Sequence, residues 1–142
     1  MSQTTHKDVQ AFKMNTDSKS SGKVIKTYSG TTTDNTATVL YSHPVAELAG
    51  VVMLVSAIGL LSDGTEMIRA IVSSGFRRAA AGNVTEVSTD TAVASAEDSS
   101  GTPTVTLIAN TTDQVAEVKV TGETSKTIYW QIAVEYEAIA IV

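Results

Sequence analysis

The sequence predicts an all-β protein: an antiparallel, jelly-roll-like β-sandwich of about seven or eight strands, preceded by an extended N-terminal arm. Three observations indicate this fold. Polar and apolar residues alternate along many short stretches, these stretches recur about every ten to fifteen residues, and turns rich in Gly, Asn and Asp separate them. With 142 residues, the chain is long enough to bury one core of its own.

The clearest strand pattern lies near the end of the chain, in residues 114–137. Residues 114–121 and 127–137 both alternate between apolar and polar side chains, and a polar loop containing Gly122 joins them. We therefore predict a β-hairpin with Trp130, the only tryptophan, pointing into the core. The side chains expected on the same face are Ile128, Trp130, Ile132, Val134 and Tyr136.

The stretch from Val45 to Leu61 is the most apolar of the chain, and a helix, a membrane span and a buried strand compete for it. Its apolar run of fourteen residues falls short of the roughly 18 that cross a bilayer. Gly50 and Gly59, with three valines, disfavour a helix. We therefore predict a long strand over residues 50–61.

The near-continuous apolarity of this strand predicts burial on both of its faces. One face would belong to the core of the domain. The other would contact a second subunit, with Leu54 and Ile58 as the contact residues. A turn at Asp63-Gly64 would then lead into a return strand over residues 65–78.

Further strand candidates follow the same alternation. They are residues 24–28 as a short edge strand, 36–41, 84–95 as one strand or two broken near Asp90, 104–110, and a docked apolar tail at 138–142.

The N-terminal arm, residues 1–28, differs in composition from the body, residues 29–142. Residues 1–26 carry a net charge of +3 and the rest of the chain −8. A segment this polar cannot bury enough surface to offset its ordering entropy, so we expect it to order only against a partner. A basic arm fits an acidic surface, and a solvated leader is the alternative. The arm residues expected to contact the partner are Lys7, Lys13 and Lys19.

Residues that could carry chemistry are few. The chain has no cysteine and two histidines, one of which, His43, is predicted to lie in a loop beside a proline. It has no Gly-x-Ser-x-Gly elbow and no phosphate-binding loop. We therefore expect no enzymatic activity, no cofactor and no metal. The acidic body speaks against nucleic acid, and no secretory signal is expected.

The densest basic spot of the body is Arg77-Arg78, after Phe76. Pairing with Glu97-Asp98, or with Glu135 and Glu137 across strands, is the structural interpretation. The functional interpretation is contact with an acidic neighbour.

Several segments, read together, resemble a small all-β module of tailed-bacteriophage structural proteins, found in fibres and capsid-associated proteins. The segments that carry this resemblance are Ser29-Gly-Thr-Thr-Thr-Asp-Asn-Thr-Ala-Thr-Val-Leu40, Phe76-Arg-Arg78, Ala96-Glu-Asp98 and Val118-Lys-Val-Thr-Gly-Glu-Thr-Ser-Lys-Thr-Ile-Tyr-Trp130. The resemblance covers about residues 29–137 and implies a role in the virion without catalysis. The apolar stretch 48–61 departs from the mixed composition of that module, which suggests an additional buried contact.

We therefore expect a non-enzymatic virion protein, assembled in the bacterial host cytoplasm. A capsid decoration, or cement, protein fits best: a homotrimer anchored by its arm to the major capsid protein or another virion protein, with no membrane contact. The alternative is a tail or head fibre module that binds a host receptor or a glycan.

Overall fold

The structure, a computed structural model, describes residues 18–89, 93–96 and 103–141. These residues form nine β-strands. The strands are β1 Ser18–Thr32, β2 Ala37–Pro44, β3 Ala49–Leu61, β4 Met67–Arg78, β5 Val84–Thr89, β6 Val93–Ala96, β7 Thr104–Asn110, β8 Val115–Thr121 and β9 Ile128–Ile141. Within this part of the chain, no helix is long and apolar enough to cross a membrane.

The strands form two antiparallel sheets. The large sheet has the order β1-β9-β3-β4, and β5 and β6 pair with successive parts of the remaining edge of β4. The small sheet has the order β2-β8-β7. The predicted antiparallel β-sandwich is confirmed. Nine strands are found where about seven or eight were predicted, and the stretch 84–95, predicted as one strand or two, forms two.

Alternation in β3 and β4 places the core between the sheets. Met53 and Val55 in β3 are fully buried, whereas the residues between them are exposed. The turn at Asp63-Gly64 joins the two strands as predicted, with Gly64 at φ +74°. The core face of β3 is confirmed, whereas the predicted contact of its other face with a second subunit stays a prediction. One face lies in the core, and the other is open.

The core is mostly aliphatic, with Trp130 and Phe76 as its largest side chains. Trp130 is 2% exposed, as predicted, and its indole N–H donates to the Thr32 hydroxyl at 2.9 Å. This hydrogen bond satisfies a polar group that would otherwise be costly to bury. The buried apolar residues are Val45, Val51, Met53, Val55, Ala57, Ile68, Ala70, Val72, Phe76, Val84, Val105, Leu107, Ala116, Val118, Val120, Ile128, Trp130, Ile132 and Val134.

The predicted hairpin of residues 114–137 is wrong. β8 pairs with β2 and β7 in the small sheet, whereas β9 pairs with β1 and β3 in the large one. The connection between them crosses from one sheet to the other, and a salt bridge fixes it. Lys126 Nζ lies 2.8 Å from a Glu123 carboxylate oxygen and 3.0 Å from one of Glu66, which precedes β4. The hydrogen bonds that the Lys126 ammonium donates to the carboxylates of Glu123, then Glu66, raise the pKa of Lys126.

Part of the predicted arm belongs to the large sheet. The short edge strand expected at residues 24–28 lies within β1, which pairs with β9 from Ser18 to Thr32. β1 is at the edge of the sheet, as predicted. A bulge between Ser20 and Lys23, with Gly22 at φ +70°, interrupts the pairing. Residues 1–17 lie outside the described residues, and the division of the chain at residue 28 remains a prediction.

Candidate interaction surface

The outer face of the large sheet, which is turned away from the small sheet, carries most of the exposed apolar side chains of the described residues. Since alternate residues of β3 point into the core, those between them project outward. Val52 is 65% exposed, Leu54 38% and Ile58 49%. Neighbouring positions of the face extend the apolar surface; they are Ile25, Leu60, Met67, Ile71, Val87, Tyr129, Ile139 and Ile141.

Polar side chains flank the apolar line of β3. Leu54 lies opposite Glu135 in β9 and Ser73 in β4. Beyond β9, at the β1 edge, the Lys23 ammonium is 3.6 Å from the Glu135 carboxylate. An apolar centre with a polar rim is the usual anatomy of a protein–protein interface.

The outer face of the small sheet differs. Its central strand, β8, presents Lys119, whose Nζ is 3.6 Å from the Glu117 carboxylate. The Asn110 amide also donates to Glu117 at 3.0 Å. Val39 in β2 and Ile108 in β7 are exposed, but β8 separates them. The exposed apolar side chains of the small sheet are therefore isolated, whereas those of the large sheet share one face.

The outer face is large enough for a stable contact between subunits. β3 has thirteen residues. At about 3.3 Å per residue and about 4.8 Å between strands, the face measures about 40 Å by about 20 Å, roughly 800 Å². A standard interface buries about 800 Å² on each partner. Large exposed apolar patches on soluble proteins generally mark interaction sites.

A concavity of about 580 Å³ interrupts the outer face near one end. Gly50 and Gly75 contribute no side chains there, so backbone forms part of its floor. The other outward side chains that line it are Val52, Ser73, Val87, Glu137 and Ile139.

The structure places the predicted contact residues in different regions. Leu54 and Ile58 lie together on the outer face. Lys19 lies in β1 near its start, and its side chain is not described. Lys7 and Lys13 lie outside the described residues. Among the predicted contact residues that the structure describes, Leu54 and Ile58 therefore lie on the same face.

The predicted partners of Arg77-Arg78 need correction. Arg78 is 3.6 Å from the Glu47 carboxylate, and its Nε–H donates to the Gly82 carbonyl at 2.7 Å. It therefore fixes the turn after β4, while Arg77 is exposed on the outer face. The cross-strand pairing expected for Glu135 is instead made with Lys23. The other predicted partners, Glu97-Asp98, lie outside the described residues.

An aromatic cluster that the sequence did not predict joins the edges of the two sheets. The rings of Tyr28 in β1 and Tyr41 in β2 stack at 4.7 Å, and His43 lies 4.4 Å from the ring of Tyr136 in β9. The Tyr41 hydroxyl and His43 Nδ1 are hydrogen-bonded at 2.7 Å. Burial, then Tyr136 and Tyr28, raises the pKa of Tyr41 to about 12. The ring contacts hold β1, β2 and β9 together.

The prediction that His43 lies in a loop is wrong, because it is part of β2. Its burial, followed by the nearby charge of Lys26, lowers the pKa of the imidazole. The Lys26 ammonium is 5.8 Å from the ring centroid of Tyr136, the ring that His43 also contacts. His43 is therefore held neutral under conditions in which an exposed histidine begins to charge. In the described part of the chain, no group of three or more acidic and histidine side chains could hold a metal ion.

The lowered pKa of His43 predicts a loss of stability on acidification. As the pH falls through about 6.5, the unfolded chain binds a proton at this position before the folded chain does. The free energy of unfolding should therefore fall below that pH, and above it His43 should add no pH dependence. Urea unfolding at pH 7.5 and pH 5.0 measures this decrease. His43→Asn should reduce it and His6→Asn should not; an equal decrease in the wild type and His43→Asn would contradict the assignment.

No protein-family model and no curated protein sequence matches this chain. Among solved structures, the tailspike protein of Acinetobacter baumannii phage AM24 is similar over 84% of the chain, with a TM-score of 0.41 and 8% sequence identity. The chain spans 26% of the length of that tailspike chain. A similarity of this size assigns the chain to no family.

Proposed function

We propose that the protein is a non-enzymatic structural protein of a bacteriophage virion. Its specific role would be capsid decoration: a homotrimer formed through the outer face of the large sheet and anchored to the capsid by the N-terminal arm. The observation that carries the proposal is the apolar outer face, since a surface of this size is open in one chain and suits contact between copies. The resemblance of residues 29–137 to phage structural modules supports the virion context.

The arm supplies the second part of the proposal. Residues 1–17 precede β1, which is already paired, so they can reach a partner without disturbing the sandwich. Lys7 and Lys13 in this segment are balanced by Asp8 and Asp17, and the excess basic charge of residues 1–26 lies in β1. An extended segment of this kind can add to a strand edge of the capsid protein, where main-chain hydrogen bonds provide affinity.

Deletion of residues 1–17 tests the anchor, because it leaves β1 complete. Binding to capsids assembled without the protein, measured by co-sedimentation, should weaken at least about tenfold, equivalent to about 1.4 kcal/mol. Lys7→Glu should also weaken binding. Lys119→Glu, an equal charge change on the small sheet, should leave it unchanged. Undiminished binding of the truncated chain would contradict an anchoring arm.

A fibre module that binds a glycan is the second candidate, and the exposed ring of Tyr129 favours it. This side chain is 55% exposed in β9, and Gln131 follows it on the same face. Aromatic rings with amide neighbours suit stacking and hydrogen bonding to sugars. A glycan array distinguishes the candidates, because binding that is lost in Tyr129→Ala would support the fibre module. An array without signal would support decoration.

A further inference from the structure

The concavity on the outer face lies beside the point at which the described chain begins. Ser20 of β1, Ile139 of β9 and Gly50 of β3 lie opposite one another in three adjacent strands. The lining residues Ile139 and Gly50 are therefore one and two strand spacings, at most about 10 Å, from β1. Including the offset along the strands, about 12–17 Å separates the start of β1 from the concavity.

Residues 1–17 precede that point and can span this distance. The six-residue step from Phe12 to Ser18 extends over at most about 20 Å. Phe12 and Met14 are the large apolar residues closest to β1 in this segment, and Lys13 lies between them. The chain can therefore turn back at residues 15–17 and bring Phe12 to the concavity of its own sheet.

The lining of the concavity matches this occupant in chemistry. Its walls are apolar, with Val52, Val87 and Ile139, and Glu137 is the charged side chain that lines it. The volume of about 580 Å³ falls within the range of about 300–1,000 Å³ that is usual for binding pockets. Phe12 and Met14 suit the apolar walls, and the charge of Lys13 is opposite to that of Glu137.

We propose that residues 12–14 of the same chain dock in this concavity. Phe12 and Met14 fill the hollow left by Gly50 and Gly75, and Lys13 approaches Glu137. Docking fills the concavity that interrupts the outer face near one end of the sheet. It also fixes the part of the arm next to β1. The residues before Phe12, with Lys7, extend beyond the docked segment. The inference goes beyond the proposed function and does not depend on a capsid.

A cysteine at position 52 reports on the occupant, because the native chain contains no cysteine. All labelling is carried out with Leu54→Asp and Ile58→Asp present, because other subunits should then not cover the outer face. In that chain the Val52→Cys thiol should react with a maleimide about tenfold more slowly when residues 1–17 are present than after their deletion, if about one molecule in ten is undocked. Leu60→Cys lies on the same face but away from the concavity, and its rate should not change on truncation. Equal rates at position 52, or an equal increase at both positions, would overturn the proposal.

Two further measurements identify the segment and its source. Phe12→Ser in the Val52→Cys chain should give the fast rate of the truncated protein, whereas Val9→Ser should keep the slow one. Full-length chain without cysteine, added to the truncated Val52→Cys chain, should not slow the labelling of position 52. Protection by the added chain would show that a neighbour's segment occupies the site and would overturn docking in the same chain. Loss of capsid binding in Lys7→Glu, with slow labelling at position 52 retained, separates the two proposals.

Discussion

Replacing Leu54 and Ile58 together by aspartate should convert the proposed homotrimer into monomers. Both side chains project from the outer face of β3, and in the proposed trimer both would be removed from water. Burying an unpaired carboxylate is strongly unfavourable, so association should weaken by several orders of magnitude. In the single chain both positions are exposed, but the new carboxylate at position 54 lies opposite Glu135, so folding should be destabilised by about 1 kcal/mol.

Sedimentation velocity provides the measurement. The wild type should sediment at about three times the monomer mass of 14.9 kDa, and the double variant at the monomer mass. Thr106→Asp with Ile108→Asp is the matched control, because it places two carboxylates on the outer face of the small sheet. An unchanged mass in the Leu54/Ile58 variant would exclude this face as the contact.

Trp130→Ala should destabilise the fold by about 3–5 kcal/mol, as large-to-small substitutions of buried aromatic residues do. Trp130 is 2% exposed and packs between the sheets, and its loss also leaves the Thr32 hydroxyl without its donor. Domains of this size are stabilised by about 5–15 kcal/mol, so the variant should be close to unfolding at ordinary temperature.

Urea unfolding should be measured in the monomeric Leu54/Ile58 background, because association would otherwise add to the apparent stability. Tyr129→Ala is the neighbouring control; its ring is exposed, and the change should cost within about 0.5 kcal/mol. Thr32→Val should cost about 1 kcal/mol, and the double variant with Trp130→Ala should cost less than the sum of the two. Equal costs at positions 129 and 130 would contradict the assigned orientation of β9.

Period-two alternation predicted which side chains point inward, because that property depends on the local backbone alone. The inward faces of β8 and β9 were found in this way. The same pattern does not identify the partner of a strand. β8 and β9 alternate alike and are joined by a short polar loop, so a hairpin was the natural interpretation. A contact between Lys126 and Glu66, sixty residues apart, accompanies the crossing to the other sheet.

Two other features were not predicted, because they depend on pairing between strands that are distant in sequence. The composition of residues 18–23 predicted a free arm, but a strand can be held by its backbone ladder to β9 even where its side chains are polar. β2 contains a bulge between Val39 and Tyr41, which changes the face to which the following side chains point. The strand predicted over residues 36–41 ended before Pro44, whereas β2 continues to Pro44, because an edge strand tolerates proline. For these reasons the ring cluster around His43 was not predicted, although Tyr41 and His43 stand two residues apart.

The bulge in β1 affects whether further molecules can add strands to this edge of the large sheet. β1 is a fifteen-residue edge strand, and such edges can recruit strands from further molecules without limit. Here the turn at Gly22 breaks the regular ladder, and the exposed lysines Lys23 and Lys26 place like charges where two such edges would meet. Growth along the sheet is thereby discouraged, while its broad face stays open. The particle that results should be closed and of fixed size, rather than a filament.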